Sequence, residues 1–163
     1  DTAVSWPGGV GGKGNAGVAQ YVAQVPGAIG YVEYAYALEN HMVYADMLNK
    51  DGKQVVPAFN TFQAAAAGAD FSKVEDFYLI LTDQPGAKSW PITAATYMLL
   101  RKDADPEQNK LALNYLDWCL RKGQEQAKAL DYVPLPEGVV KQIEHSWAVE
   151  LKGADGKSIW AAK

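Results

Sequence analysis

The sequence predicts an α/β or α+β fold. Two observations carry that reading. Strand-like and helix-like stretches alternate through the first hundred residues, and from Pro106 onward the pattern is almost wholly helical. The bulk composition agrees with a packed chain. Its 163 residues are 48% hydrophobic and 21% charged, the proportions of an ordinary globular protein. A chain of this length can bury roughly 70% of the surface its unfolded form exposes, as one domain or as part of a larger one.

The first element follows "WPGGVGGKGNAG", which places six glycines between Gly8 and Gly17. Asn15 can cap a helix running to about Val25, with Val18, Tyr21, Val22 and Val25 as its buried stripe. Pro26-Gly27 stops it. A short strand is expected over Ile29 to Val32, then a short helix in "EYAYALEN". Two apolar stretches flank Asp51-Gly52, a hairpin signal. Asn60 or Thr61 begins the alanine-rich helix "TFQAAAAG", closed by Gly68. "FYLIL" reads as a strand, and "PITAATYMLLRK" is the clearest one, with Pro91 at its permitted edge.

Pro106-Glu107 opens a helix reaching Lys122, with Leu111, Tyr115, Leu116 and Trp118 or Cys119 on one face. Arg121 and Lys122 suit the negative end of its dipole, and Gly123 ends it. "QEQAKALDY" is a second short helix. The third, "PLPEGVVKQIEHSW", has Pro136 near its first turn and turns Val139, Val140, Ile143 and Trp147 inward. The tail "KGADGKSIW" carries another Asp-Gly-Lys turn.

Several function classes find no support. Net charge is −4 with no basic run, which argues against nucleic acid as a partner. No window approaches 18 consecutive apolar residues. The single cysteine, Cys119, reads as a small hydrophobe on a helix. His41 and His145 lie in polar contexts with no partnered nucleophile, and carboxylates are scattered singly. Metal-ligand spacings and nucleotide or other cofactor fingerprints are absent, so no catalytic residue, metal site or cofactor is expected. The chain begins at Asp1 without a start methionine or signal sequence, as a processed or truncated product would. The glycine stretch allows two readings. It can offer backbone N–H groups to an anion beside Lys13, or it can be a tight crossover where two segments touch.

"WPGGVGGKGNAGVAQYVAQVPGAIGYVEYAYALEN" closely resembles the phosphate-binding proteins of high-affinity phosphate ABC importers. The likeness continues through "DGKQVVP", "AAGADFS", "WPITAATY", "DWCLRKGQEQA" and "LDYVPLPEGVV" to Trp147, so it covers essentially the whole chain. It implies a class II periplasmic binding-protein fold, present here as the C-terminal half of a two-domain protein. Residues 1–88 would belong to the second α/β domain, 89–102 would form a crossing strand, and 103–163 would supply helices and a tail that pack on the first domain. It further implies periplasmic or extracellular binding of inorganic phosphate, without catalysis, for delivery to the importer's membrane subunits. The alternatives from other classes are a phosphate-ester hydrolase and an interaction fragment that binds no ligand.

The family holds phosphate mainly with residues of its N-terminal half: a Thr-Phe pair, a Ser before Gly-Gly, an Asp, and an "R-x-D-G-S-G-T" loop. None of these motifs occurs here, so no primary phosphate ligand is carried over. The N-terminal half of the same protein becomes an expected partner. The family's "GGKGN" loop matches Gly11, Gly12, Lys13, Gly14 and Asn15, to which the resemblance assigns a shaping role near the hinge rather than direct contact.

Overall fold

The computed structural model describes residues 4–161. The chain divides into two compact units, Asp1–Ala45 and Asp46–Lys163.

The first unit holds helices α1 (Gly14–Gln24) and α2 (Tyr34–Glu39). The position before α1 is taken by Lys13, not by the expected cap Asn15, and no side chain caps this end. The expected stripe is only partly covered. Val18 and Val22 are half-buried beneath Gly30, where any Cβ would stand 2.7 and 2.8 Å from their methyl groups. Tyr21 and Val25 are exposed. The expected strand at Ile29–Val32 is absent. Ala28 and Val32 are half-buried, while Ile29 and Tyr31 point outward, Ile29 at 98% exposure. The segment is extended in pattern, but among the described residues it has no neighbour to complete a ladder of hydrogen bonds.

The second unit opens with the expected hairpin. β1 (Met47–Leu48) pairs antiparallel with β2 (Gln54–Val55), Met47 opposite Val55 and Leu48 opposite Gln54. Buried Asn49 anchors it. Its Oδ1 accepts from the N–H groups of Asp51 (3.1 Å) and Lys53 (3.0 Å), and its Nδ2 donates to the carbonyls of Gly86 (3.0 Å) and Ser89 (3.3 Å). Helix α3 (Phe59–Gly68) is entered through Thr61, whose Oγ1 accepts from Ala58 N–H at 3.0 Å and donates to Val56 O at 2.8 Å. Trp90 N–H then donates to Thr61 O, so hairpin, α3 and the 84–90 loop are tied together by polar contacts.

The remaining helices are α4 (Pro106–Arg121), α5 (Gln124–Ala129) and α6 (Glu137–Glu150). α4 is capped by Asp105, whose carboxylate accepts from Glu107 N–H at 3.3 Å, with Pro106 in its first turn. Two apolar clusters hold this unit. In one, Phe71, Leu81 and Val139 gather Leu79, Ala95, Leu135 and Ile143; in the other, Leu113, Leu151 and Trp160 gather Leu100, Trp147 and Ile159. The inward face expected of α6 is therefore met inside this chain. The face expected of α4 is met only in part, at half-buried Leu116 and Cys119. Leu113 is its fully buried side chain, while Leu111, Tyr115 and Trp118 are exposed. Cys119 is half-buried. Between α4 and α6, Arg121 grips the buried Glu144 carboxylate with two hydrogen bonds of 2.6 Å, a bidentate fork.

Neither of the other two expected strands forms. Phe77 ends a 3-10 turn with φ +59°, and beyond it Leu79 and Leu81 turn inward while Tyr78 and Ile80 face out. In the segment after Pro91, Thr93 and Ala95 turn inward and Ile92 faces out, followed by exposed Met98 and Leu99, the latter 91% exposed. The two segments share one backbone bond, Asp83 N–H to Pro91 O at 2.8 Å, and a contact of Tyr97 OH with Leu79 O at 2.9 Å. The pleat is legible but the ladder is missing, because one face and the flanking edges have no partner among the described residues.

A chain with so many outward-facing large side chains is expected to self-associate when purified alone, since each forgoes roughly 1.5–3 kcal/mol of burial. Sedimentation of the 163-residue chain at several concentrations checks this; a concentration-independent monomer would contradict it. A second expectation concerns acid. Lys102 and, at 2.9 Å, Ser146 Oγ hydrogen-bond the Glu150 carboxylate and hold its pKa below the ordinary 4.5. A depressed carboxyl stabilises the fold above its unfolded value, and that contribution is lost as pH falls through the folded one. Glu150→Gln should therefore flatten the stability profile below pH 4.5, modestly because Glu150 is a third exposed. Urea midpoints across that range report it, and parallel profiles for the two proteins would contradict it.

Candidate functional site

The glycine loop lies in the first unit, and its geometry follows from residues without side chains. A Cβ on Gly12 would stand 2.5 Å from both the carbonyl carbon of Gly17 and the amide nitrogen of Val18. The loop thus lies directly on the first turn of α1, backbone against backbone. Gly14 has φ +63°, a left-handed conformation that costs other L-residues roughly 1–2 kcal/mol. The expectation of a tight crossover is met at Gly12 and Gly17.

Among the five residues singled out from the sequence, Gly12 and Asn15 are half-buried, and Gly11, Lys13 and Gly14 are exposed. Lys13 makes no ion pair among the described residues. Asn15 serves a different purpose from capping. Its Oδ1 accepts from Glu33 N–H at 3.0 Å, and its Nδ2 lies 3.5 Å from Glu33 Oε2. Glu33 occupies the position before α2, so Asn15 ties the starts of the two helices together. Sequence reasoning singled out neither Glu33 nor Gly30. Both fall inside "PGAIGYVEYAYA", but nothing in a separation of 18 residues announces a contact.

His41 and His145 are exposed. Among the described residues no three His, Cys, Asp or Glu are grouped to hold a metal, and no helix is long and apolar enough to cross a membrane. Two open grooves occur in the second unit. One, of about 510 Å³, lies between Gln63, Ala67, Gln124 and Leu135; the other, of about 770 Å³, lies among Phe71, Asp76, Lys102, Lys141, His145 and Glu150. The second mixes both signs of charge and selects no single ligand charge.

Residues 2–126 match the family of bacterial extracellular solute-binding proteins. The chain belongs to that family. This solute-binding protein chain shares the family's periplasmic-binding-protein fold. It is 52% identical over 152 residues to the phosphate-binding protein PstS of Xylella fastidiosa, covering 93% of this chain and 42% of that protein. With the phosphate-binding protein PstS of Pasteurella multocida the identity is 47% over 158 residues, covering 96% of this chain and 46% of that protein. With that of Methanocaldococcus jannaschii it is 36% over 156 residues, covering 85% and 40%. The solute-binding chain therefore spans less than half the length of these curated relatives.

Gly12→Ala should destabilise the first unit by about 1–3 kcal/mol, the range for overpacking a tight contact. Gly11→Ala meets open space and should change little. Thermal melts of the two variants separate the sites; equal effects would contradict the backbone-on-backbone packing.

Proposed function

We propose that the protein binds inorganic phosphate outside the cytoplasm and hands it to the membrane subunits of an ABC importer. The supporting observation is identity of 47–52% over more than nine-tenths of this chain with proteins named for phosphate binding. In this reading the chain supplies the C-terminal half of a class II, two-domain binding protein in the periplasm. Residues 1–88 belong to its second domain, 89–102 cross between domains, and 103–163 pack on the first. Support for the missing partner comes from the outward faces of Tyr78, Ile80, Ile92 and Met98, which suit strands buried on both sides.

The physics of the ligand fits a two-part protein. Stripping an anion such as phosphate of water is costly, and converging N–H and hydroxyl donors must replace its hydration. Glycine-loop residues Gly11 to Asn15 hold their own segment in shape, and the primary donors come from the other half. The protein binds its ligand and releases it unchanged.

Calorimetric titration tests this. The full-length protein should bind one phosphate tightly and hydrolyse no phosphate ester, and the 163-residue chain alone should show no tight binding. Lys13→Ala in the full-length protein should change affinity by less than about tenfold, or 1.4 kcal/mol. A loss of several hundredfold would place Lys13 on the ligand and contradict the shaping role.

A further inference from the structure

Asn49 uses the full hydrogen-bonding capacity of its amide on two separate pieces of chain. Its oxygen accepts from two hairpin N–H groups, and its nitrogen donates to the carbonyls of Gly86 and Ser89. The residue is buried, so a bond left unmade here would strand a polar group away from water. The loop it grips is held from other sides as well. Ser89 N–H donates to Gly86 O at 2.9 Å, and Ser89 Oγ donates to Pro85 O at 2.8 Å. Gly86 has φ +122°, and a Cβ there would stand 2.8 Å from Ser89 Oγ, so the turn closes on itself with no room for a side chain. Trp90 N–H donates to Thr61 O at 3.0 Å, and Trp90 O accepts from Thr93 Oγ1 at 3.0 Å. Shortly beyond Thr93 the cover ends, and residues 96–99 are exposed.

In the two-domain reading, residues 89–102 pass between the domains, so this loop is where the chain leaves one of them. Closure of one domain on another bends a few residues and carries the rest as rigid bodies. Hairpin, α3 and the 84–90 loop form such a rigid side, and Asn49 is the side chain that joins hairpin to loop. We infer that Asn49 is a positioning residue for phosphate capture, holding the start of the crossing segment in its bound-state place before the ligand arrives. A loop left loose gains conformational freedom in the open protein, and closing on the ligand must remove that freedom again, so affinity falls. The amide suits both sets of partners. A carboxylate would keep the hairpin bonds but set an oxygen against the carbonyls of Gly86 and Ser89. The inference rests on the phosphate-binding reading for the ligand and for the crossing role of residues 89–102, and Asn49 acts through the loop and not on the ligand.

The test uses the full-length protein and two readouts: the calorimetric Kd for inorganic phosphate, and the exchange rate of the amide of residue 89 with and without phosphate. Asn49→Ser keeps an oxygen for the hairpin and removes the arm that reaches the loop. In the wild type, Ser89 N–H should exchange slowly in both states. In Asn49→Ser it should exchange about tenfold faster without phosphate and return to near the wild-type rate with it, and Kd should rise by about tenfold. Gln54→Ala is the control. It removes a hairpin brace, Gln54 Nε2 to Asp46 Oδ2 at 2.8 Å, and leaves the bonds of Asn49 in place, so both readouts should stay at wild-type values. Should Asn49→Ser fail to fold, Ser89→Ala loosens the same loop from within and should show the same changes. Slow exchange without phosphate in the loosened variant, an unchanged Kd, or an equal rise in Kd for Gln54→Ala would overturn the inference. Absence of phosphate binding by the wild type would sink the functional reading and with it the role in capture, whereas the ligand-free exchange comparison reads the anchoring of the loop by itself.

Discussion

An extended backbone becomes a strand only when another backbone lies beside it to take up its N–H and C=O groups. That constraint organises this chain. Ile29–Val32, Phe77–Leu81 and the segment after Pro91 are all rich in residues that favour strands. The second alternates half-buried and exposed side chains, the third does so at its start, and the first half-buries Val32 while Ile29 and Tyr31 face out. None forms a strand, because the neighbours that would complete a sheet are not among the described residues. Everything else follows the same division. Elements that satisfy their backbone internally are formed, and those that depend on a neighbour are poised but incomplete.

Helices belong to the first kind, and their packing shows how far one chain can go alone. α6 buries Val139 and Val140, and Trp147 meets Trp160 edge-on at 5.2 Å. Arg121 crosses from α4 to Glu144, and Asn49 fastens the hairpin to the 84–90 loop. These contacts give the second unit a core of modest size. The outward stripe of α4, with Tyr115 stacked on Trp118, remains as apolar surface.

This division explains what the sequence discloses. The helices from Pro106 onward, the hairpin at Asp51-Gly52 and the alanine-rich helix were legible because their signals are local: a cap, a turn pair, a period. The inward face of α6 was legible for the same reason. The face of α4 was legible only in part, because Leu113 and Leu111 are both apolar and only tertiary context decides which is covered. Asn15 was misread as a cap because its partner, Glu33, is fixed by the path of the chain. The glycine loop declared its need for bare backbone at once. The particular contact, Gly12 on Gly17 and Val18, required coordinates. No phosphate ligand was legible, since none of the phosphate-holding motifs of the resembled family occurs in this sequence.

Amide hydrogen exchange, residue by residue, tests the central claim most directly, because it reads ladder bonds and not overall compactness. The comparison is between the 163-residue chain and the full-length protein, over residues 77–81 and 92–100. The account predicts rapid exchange in the isolated chain and strong protection in the full-length protein. Equal protection in both would mean that these segments find their partners within the chain itself, and the account of an unfinished sheet would fail.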